Sequence, residues 1–497
     1  MSRVVVVGAG MGGLAVAARL AVKGHRVVVC EQAETYGGKL GWYERDGFAF
    51  DTGPSLLTLP AVWRDTFLKT GRPMEECVDL VEVDPVAHYR FPDGTELDVP
   101  NDRLRACAAF QDAFGGTAGE DWRRFLAHAG EVWAVTRKPF LESALSGPRD
   151  LLGWSRRVSD VRTVAPWRSL DHVARRFLRD PRQRQFLWRY ATYTGSDPRR
   201  TPAALCVVPW VEQTFGAWYV LGGLRRLGDA LYQRCVERKV DVRLGADVVA
   251  ITVDGAGRVD GVRLADGEQL PADVVVSDAD ASEVYGRLLP RRLATARGPS
   301  RRLAASTPSL SGFVLLLALD GRTAGLRHHT VTFPADYSAE FDAIFGRAPQ
   351  PVPDPTVYVS APDDPALRPS PDTEAWFVLV NAPRHDPSRG VDWDREGLAD
   401  GYADHVLAVL AARGLDVRER VRWRVVRTPA DLARDTRAPG GSIYGTSSNG
   451  ARAAFLRAAN VSPVRGLYLV GGSAHPGGGL PLVGLSAEIV ADLVGRA

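Results

Sequence analysis

Apolar residues run unbroken from Val4 to Val7, and Gly8, Gly10 and Gly13 follow at once. Such a run predicts a strand buried on both faces, as parallel sheets use. Leu14, Ala17 and Leu20 then recur at helical spacing, Gly24 closes the helix, and Val27 to Val29 read as a second strand. The chain therefore opens on a βαβ unit. Residues 240–278 alternate short apolar runs with turn signals at Asp254-Gly255 and Asp266-Gly267, ending in a buried-type strand, Val274 to Val276. "SLSGFVLLLALDG" (309–321) and "EAWFVLVNAP" (374–383) read as buried sheet strands, with a short strand at Val357 to Val359 inside a proline-rich surface loop. Residues 169–179 and 181–193 read as helices. Leu467 to Val470 predict a last buried strand, which ends in a glycine-rich turn before a helix.

The first turn carries G-x-G-x-x-G in its full strand–turn–helix context, a fingerprint for dinucleotide binding. Gly8 permits the tight turn, Gly10 lets the backbone approach a pyrophosphate, and Gly13 allows the helix to pack on the strand. Ala9, Met11 and Gly12 complete the loop. Glu31, at the carboxyl end of the second strand, is placed to accept hydrogen bonds from a ribose, with Gln32 beside it. Two features favour FAD over NAD. Gly37-Gly38 and Lys39 offer N–H groups and a cation that meet the pyrophosphate again. The closing stretch "GGSAHPGGGLPLVGLSA" (471–487) adds a second glycine-rich turn, which an NAD domain does not need from its far end. Its glycines let backbone pass against a flavin, and Leu482 and Val483 start a helix whose N–H groups face a ring oxygen. His475 is the candidate catalytic group there, orienting the flavin or relaying a proton; capping of its own loop is an equal reading. Trp210, Trp218 and Tyr219 are candidates to line a substrate tunnel, with an ordinary core role open for at least one of them.

Composition narrows the class. The 497 residues suffice for two or three domains. A formal charge of +3, from 62 basic and 59 acidic residues, gives no global nucleic-acid footprint. Cys30, Cys77, Cys107, Cys206 and Cys235 are scattered, which supports neither disulfides nor a metal site and points to a reducing, cytoplasmic setting. No signal-peptide pattern follows the opening valines, and no run of 18 apolar residues occurs. Residues 149–200 stand apart: thirteen arginines against five aspartates, with Trp154, Trp167, Trp188, Phe177 and Phe186 interleaved. A solvated helical face and a patch docking on anionic lipid both fit. The second reading would place the protein at the inner face of the cell membrane.

The stretch from Gly8 to Glu31, with Gly37-Gly38, resembles the dinucleotide-binding signature of the amine-oxidase-like flavoproteins. "FDTGPSLLTLP" (50–60), "YATYTGSDPRRTPAAL" (190–205), "GAWYVLGGLRRLGDAL" (216–231) and "LYLVGGSAHPGGGLPLV" (467–483) resemble the bacterial carotenoid desaturase family, with "ATYTGSDP" nearer its hydroxycarotenoid 3,4-desaturase branch. Lys39 departs from the Arg common at that position in the family. The resemblance implies an α/β fold with a discontinuous Rossmann-like FAD-binding domain from 1–85, 222–295 and 440–497. It implies an α+β substrate domain with a mixed sheet from 86–221 and 296–439, in which 149–200 would be a helical membrane-facing segment. Noncovalent FAD would be held by the glycine turn, Glu31, Gln32, Gly38 and Lys39, then by Gly53, Pro54 and Ser55, the backbone of Val248, Asp278, Gly472, Ser473, Leu482 and Val483. The implied activity is an oxidoreductase that introduces C=C bonds into a linear carotenoid polyene by hydride transfer to flavin, with oxygen or a quinone as acceptor. An amine-oxidase-like enzyme for another hydrophobic substrate, or a non-redox flavin-dependent isomerase or cyclase, would share the scaffold.

Overall fold

The structure is a computed structural model that describes residues 1–145, 158–450, 453 and 457–497. Its first layer is a five-stranded sheet in the order Asp241–Arg243, Arg26–Cys30, Arg3–Val7, Val274–Ser277, Leu467–Leu469, with every neighbouring pair parallel. Val4, Val5 and Val6 are buried on both faces of the central strand. The helix Met11–Val22 is buried along Met11 to Leu20 and packs against the helices Arg225–Glu237 and Leu480–Val494. Strands far apart in sequence thus close one apolar core around the first turn. The antiparallel strands Val248–Val253, Val259–Leu264 and Gln269–Pro271 form a small sheet beside it.

The second layer is a mixed seven-stranded sheet, ordered Val421–Arg427, Ser311–Asp320, Thr373–Ala382, Val357–Ser360, His329–Thr332, Ala87–Arg90, Glu96–Val99. Only the pairing of His329–Thr332 with Ala87–Arg90 is parallel. The two apolar runs read from the sequence lie side by side as its long central strands. Helices Arg103–Phe114, Ala118–Thr136, Leu170–Phe177 and Pro181–Thr192 cover this sheet through a core that includes Tyr89, Phe110, Trp122 and Phe186.

The basic, aromatic segment is folded into that helical layer, and most of its apolar side chains face inward. Leu170, Val173, Phe186, Leu187 and Tyr190 are buried. Four of its arginines are ion-paired within the protein: Arg175 with Asp171, Arg179 with Asp121, Arg182 with Asp180 and Asp93, and Arg199 with Asp197 and Asp342. Trp167 alone among its described tryptophans is well exposed. Trp154, Arg156 and Arg157 lie outside the described residues. Arg162, Arg168, Arg176 and Arg200 stay exposed. Among the described residues, no helix is long and apolar enough to cross a membrane.

Candidate functional site

The site grows from stacked glycine turns. Gly8 has φ +97°, a left-handed conformation that disfavours any side chain. A methyl group on Gly13 would be driven into the carbonyl oxygen of Gly8, so the helix can sit this close to the strand only without one. The Gly37-Gly38 loop folds back over this turn: Gly37 N–H donates to Ala9 O at 2.8 Å, and a methyl on Gly38 would lie 3.2 Å from Gly10 Cα. Arg225 secures that loop by donating to Tyr36 O at 2.8 Å and Thr35 Oγ1 at 3.1 Å. Asp51 in turn accepts from the N–H groups of Leu224 and Arg225; burial pushes its carboxyl up to about 7. Sequence reasoning had passed over both, although each stands inside a quoted motif.

Two carboxylates face the turn. Glu31 is buried and accepts from Ala9 N–H at 2.7 Å and Ala33 N–H at 3.0 Å, which fixes its head at the strand end expected for a ribose acceptor. Asp278 accepts from Gly13 N–H at 3.0 Å, at the start of the helix. A methyl on Gly12 would meet its Oδ1 at 2.6 Å. Burial, helped by Glu31, pushes Asp278 up to about 7, while the Gly13 N–H and Lys39 oppose. An acidic oxygen thus stands in the helix-start position that accepts anions. The same position fits a dinucleotide phosphate, and the surrounding glycines leave room for no side chain.

Cations complete the wall. Lys39 donates to Ser442 O at 3.0 Å and Ile443 O at 2.7 Å, so it clasps the closing stretch rather than pointing free into the turn. Burial lowers its pKa, against the pull of Asp280 and Asp278. Arg457, which no motif signalled, donates to Tyr444 O at 3.0 Å, Gly472 O at 2.7 Å and Thr446 O at 2.9 Å. Burial lowers it to about 10. Lys39, Arg189, Tyr193, Tyr358, Tyr444 and Arg457 are partly buried and keep some accessible surface.

The remaining sequence candidates divide. Gly53 is pressed against Lys39 O, and Ser55 Oγ lies 2.6 Å from Tyr358 OH. Ser473 Oγ accepts from Ala281 N–H at 2.9 Å, and Leu482 and Val483 lie in the first turn of Leu480–Val494. Val248 begins a strand beside Glu31, whose carbonyl accepts from Ala246 N–H. Gln32 turns away and donates to Asp435 O at 2.9 Å. His475 is buried and donates through Nε2 to Ser143 O at 3.0 Å; burial lowers it to about 4, so it is a neutral donor near pH 7. It ties the stretch after Ala118–Thr136 to the closing turn. Tyr219 lies in the strand Ala217–Val220 and donates to Asp364 at 3.0 Å. Trp210 stacks at an outer corner with Trp133 and Phe215, and Trp218 donates to Phe215 O at 2.9 Å beside it. Trp210 and Trp218 thus both adjoin Phe215, while Tyr219 is held by Asp364.

Known proteins share this arrangement. The profile of NAD(P)-binding Rossmann-like domains matches residues 6–69, and that of flavin-containing amine oxidoreductases matches 167–494. The chain is 33% identical to a 4,4'-diapolycopene oxygenase of Methylomonas sp, covering 99% of this chain and 98% of the relative. It is 34% identical to a hydroxyneurosporene desaturase of Rubrivivax gelatinosus, covering 99% and 92%. Wild-type putrescine oxidase bound to putrescine shares the fold, with a TM-score of 0.66 at 15% identity over 99% of each chain. With the glycine turns, the acidic strand end and the closing helix all in place, the chain belongs to the flavin-containing amine oxidoreductases, in the group of carotenoid desaturases and oxygenases that these full-length relatives represent.

Proposed function

We propose that the protein is an FAD-dependent desaturase that removes two hydrogens from neighbouring carbons of a linear carotenoid polyene, with oxygen or a quinone as final electron acceptor. The observation that carries this reading is the dinucleotide turn set beside partly buried aromatic rings: Tyr358 OH lies 2.6 Å from Ser55 Oγ, and Tyr444 packs against Gly478 of the closing turn. Bound flavin supplies the two-electron oxidation, which no side chain can. The chain supplies the rest. Glu31 holds the ribose, the starts of Met11–Val22 and Leu480–Val494 offer N–H groups to phosphate and ring oxygen, and the tyrosine faces hold the polyene where positive charge develops. Pieces 1–85, 222–295 and 440–497 form the cofactor half on this reading, and 86–221 with 296–439 the substrate half. His475 orients the closing turn from Ser143 rather than carrying a proton, since its Nε2–H is already engaged.

The cofactor is FAD, held without a covalent bond. Anaerobic mixing with acyclic carotenoids should bleach the yellow protein and yield a product two hydrogens lighter. Denaturation should then release all FAD into the supernatant. Flavin that stays with the precipitated chain contradicts noncovalent binding. In a parallel reaction under air, a product one oxygen heavier overturns the desaturase reading, as does bleaching by amines alone.

Polyenes dissolve in lipid, and we place membrane docking, at the inner face of the cell membrane, on the corner formed by Trp133, Trp210 and Phe215. Their rings lie 5.8 to 6.3 Å apart, Arg137 and Arg103 stand over Trp133 and Trp210, and Leu104 projects beside them, 77% exposed. Aromatic rings mixed with arginine suit an anionic interface. The corner also adjoins the stretch that His475 anchors to the closing turn. Vesicles with anionic lipid should float the protein at low salt, and Leu104→Asp with Phe215→Asp should leave it at the bottom of the gradient. Flotation that survives the double change removes this corner from consideration.

A further inference from the structure

Desaturation sends one hydrogen, with its electron pair, to the bound flavin and leaves a second to depart as a proton. The chain has to receive it. A line of hydroxyl and imidazole groups begins beside the cofactor turns. Ser55 stands two residues after Gly53, whose backbone presses on Lys39 O, and its Oγ lies 2.6 Å from Tyr358 OH. Tyr358 OH in turn lies 2.8 Å from His329 Nδ1. The sheet itself builds that second link. Tyr358 stands opposite Val331 in the pairing of Val357–Ser360 with His329–Thr332, and His329 lies two residues along on the same face. Diagonal neighbours of this kind meet when both carry long rings.

Each member of the line can pass a proton on. The two hydroxyls both donate and accept, and a neutral imidazole accepts at one nitrogen. Burial, with the charges of His328 and Arg189, holds His329 well below the ordinary histidine range, so it waits neutral and does not keep a proton that reaches it. Arg189 stands over the Tyr358 ring, 5.3 Å from its centre. Beyond His329 the line continues outward. The ring of His328, which keeps accessible surface, lies 4.3 Å from that of His329. Burial lowers His328 to about 4, against the pull of Asp364. Asp364 accepts from Tyr219 OH at 3.0 Å and Gly222 N–H at 2.6 Å, between the exposed residues Asp363 and Pro365. The groups thus lead from the glycine turns to the surface.

We propose that Ser55, Tyr358 and His329 take the proton lost in desaturation and pass it outward through His328. The electron pair of the second C–H bond becomes the new C=C bond. Its proton binds Ser55 Oγ as the Ser55 proton moves to the Tyr358 oxygen and the Tyr358 proton moves to His329 Nδ1. Neither hydroxyl is left charged, and the imidazolium returns to neutral by losing its Nε2 proton toward His328. A carbon beside a positive centre in a polyene is acidic enough to give its proton to such weak bases. The proposal rests on the desaturase reading and supplies the acceptor that reading lacks.

The test follows flavin bleaching in FAD-loaded protein without oxygen, using the acyclic carotenoid that the wild type bleaches fastest. Tyr358→Phe removes one hydroxyl and should lower kcat about a hundredfold, the usual worth of a positioned acid–base group. KM should stay within about threefold of wild type. His329→Asn separates a relay from a prop: its Oδ1 accepts from Tyr358 OH as Nδ1 does, but cannot carry a proton onward. Its kcat should still fall at least about tenfold. Wild-type kcat in His329→Asn overturns the proposal and leaves the desaturase reading standing. So does an unchanged kcat in Tyr358→Phe, a loss carried by KM alone, or loss of bound FAD from both variants. If no acyclic carotenoid bleaches the wild type, the desaturase reading fails and this proposal falls with it.

Discussion

Gly13→Ala should yield a protein without flavin, destabilised by more than about 4 kcal/mol in urea unfolding. The added methyl has nowhere to go: the Gly8 carbonyl occupies its place, and Gly8 belongs to a turn already at φ +97°. Relief requires lifting Met11–Val22 from the sheet, and that helix is buried along its first ten residues against two others. Overpacked cores commonly lose about 1–3 kcal/mol through side-chain adjustment, but here backbone meets backbone. Gly255→Ala is the control, since a methyl there has nothing within 4 Å. It should unfold within about 0.5 kcal/mol of wild type. A Gly13→Ala protein that keeps its colour and its midpoint would show that the helix does not depend on this contact.

Asp278→Asn should stabilise the flavin-free protein, and only toward alkaline pH. Burial raises the Asp278 carboxyl from 3.8 to about 7 in the folded protein. Between those values the folded form binds a proton that the unfolded chain has released, so this group's contribution to stability declines as pH rises from about 4 to about 7. Above 7 the folded protein carries a buried charge, and asparagine does not. Denaturant midpoints of the variant should therefore exceed wild type at pH 8 and converge with it near pH 4. An equal difference at both values would mean that the change acts through packing alone. The same charge opposes any anion sharing the Gly13 N–H, so the variant should also retain flavin more tightly at pH 8.

Local pattern made the cofactor layer readable. The valine run, the three glycines and Glu31 each obey a rule that acts within a few residues, and the structure places them in one turn. The long strands at 311–320 and 373–382 were readable for the same reason, each carrying an unbroken apolar run, Phe313 to Leu319 and Ala375 to Val380. Short strands such as Ala87–Arg90 and Glu96–Val99 carry too few residues for a period to show. Arg457 and Arg189 were invisible because their roles depend on carbonyls and rings brought from distant segments. The basic character of 149–200 was real in composition, yet pairing with Asp93, Asp121 and Asp342 depends on tertiary contacts that a charge count ignores. Trp210 and Tyr219, nine residues apart, ended in different places because a turn at Gly216 separates the helix Val207–Phe215 from the strand Ala217–Val220.

The outer strand of the parallel sheet, Leu467–Leu469, pairs with Val274–Ser277, and the helix after it packs on the first helix of the chain. During synthesis, the amino-terminal βαβ unit therefore waits for almost the entire polypeptide before its apolar faces are covered. Pairings this remote in sequence close slowly, and exposed parallel strands are prone to association meanwhile. Nascent chains still on the ribosome would lack the last wall of the cofactor pocket. Flavin can act as a late folding partner, withdrawing finished molecules from that vulnerable pool, so cellular yield of the protein would follow the supply of the vitamin from which flavin is made.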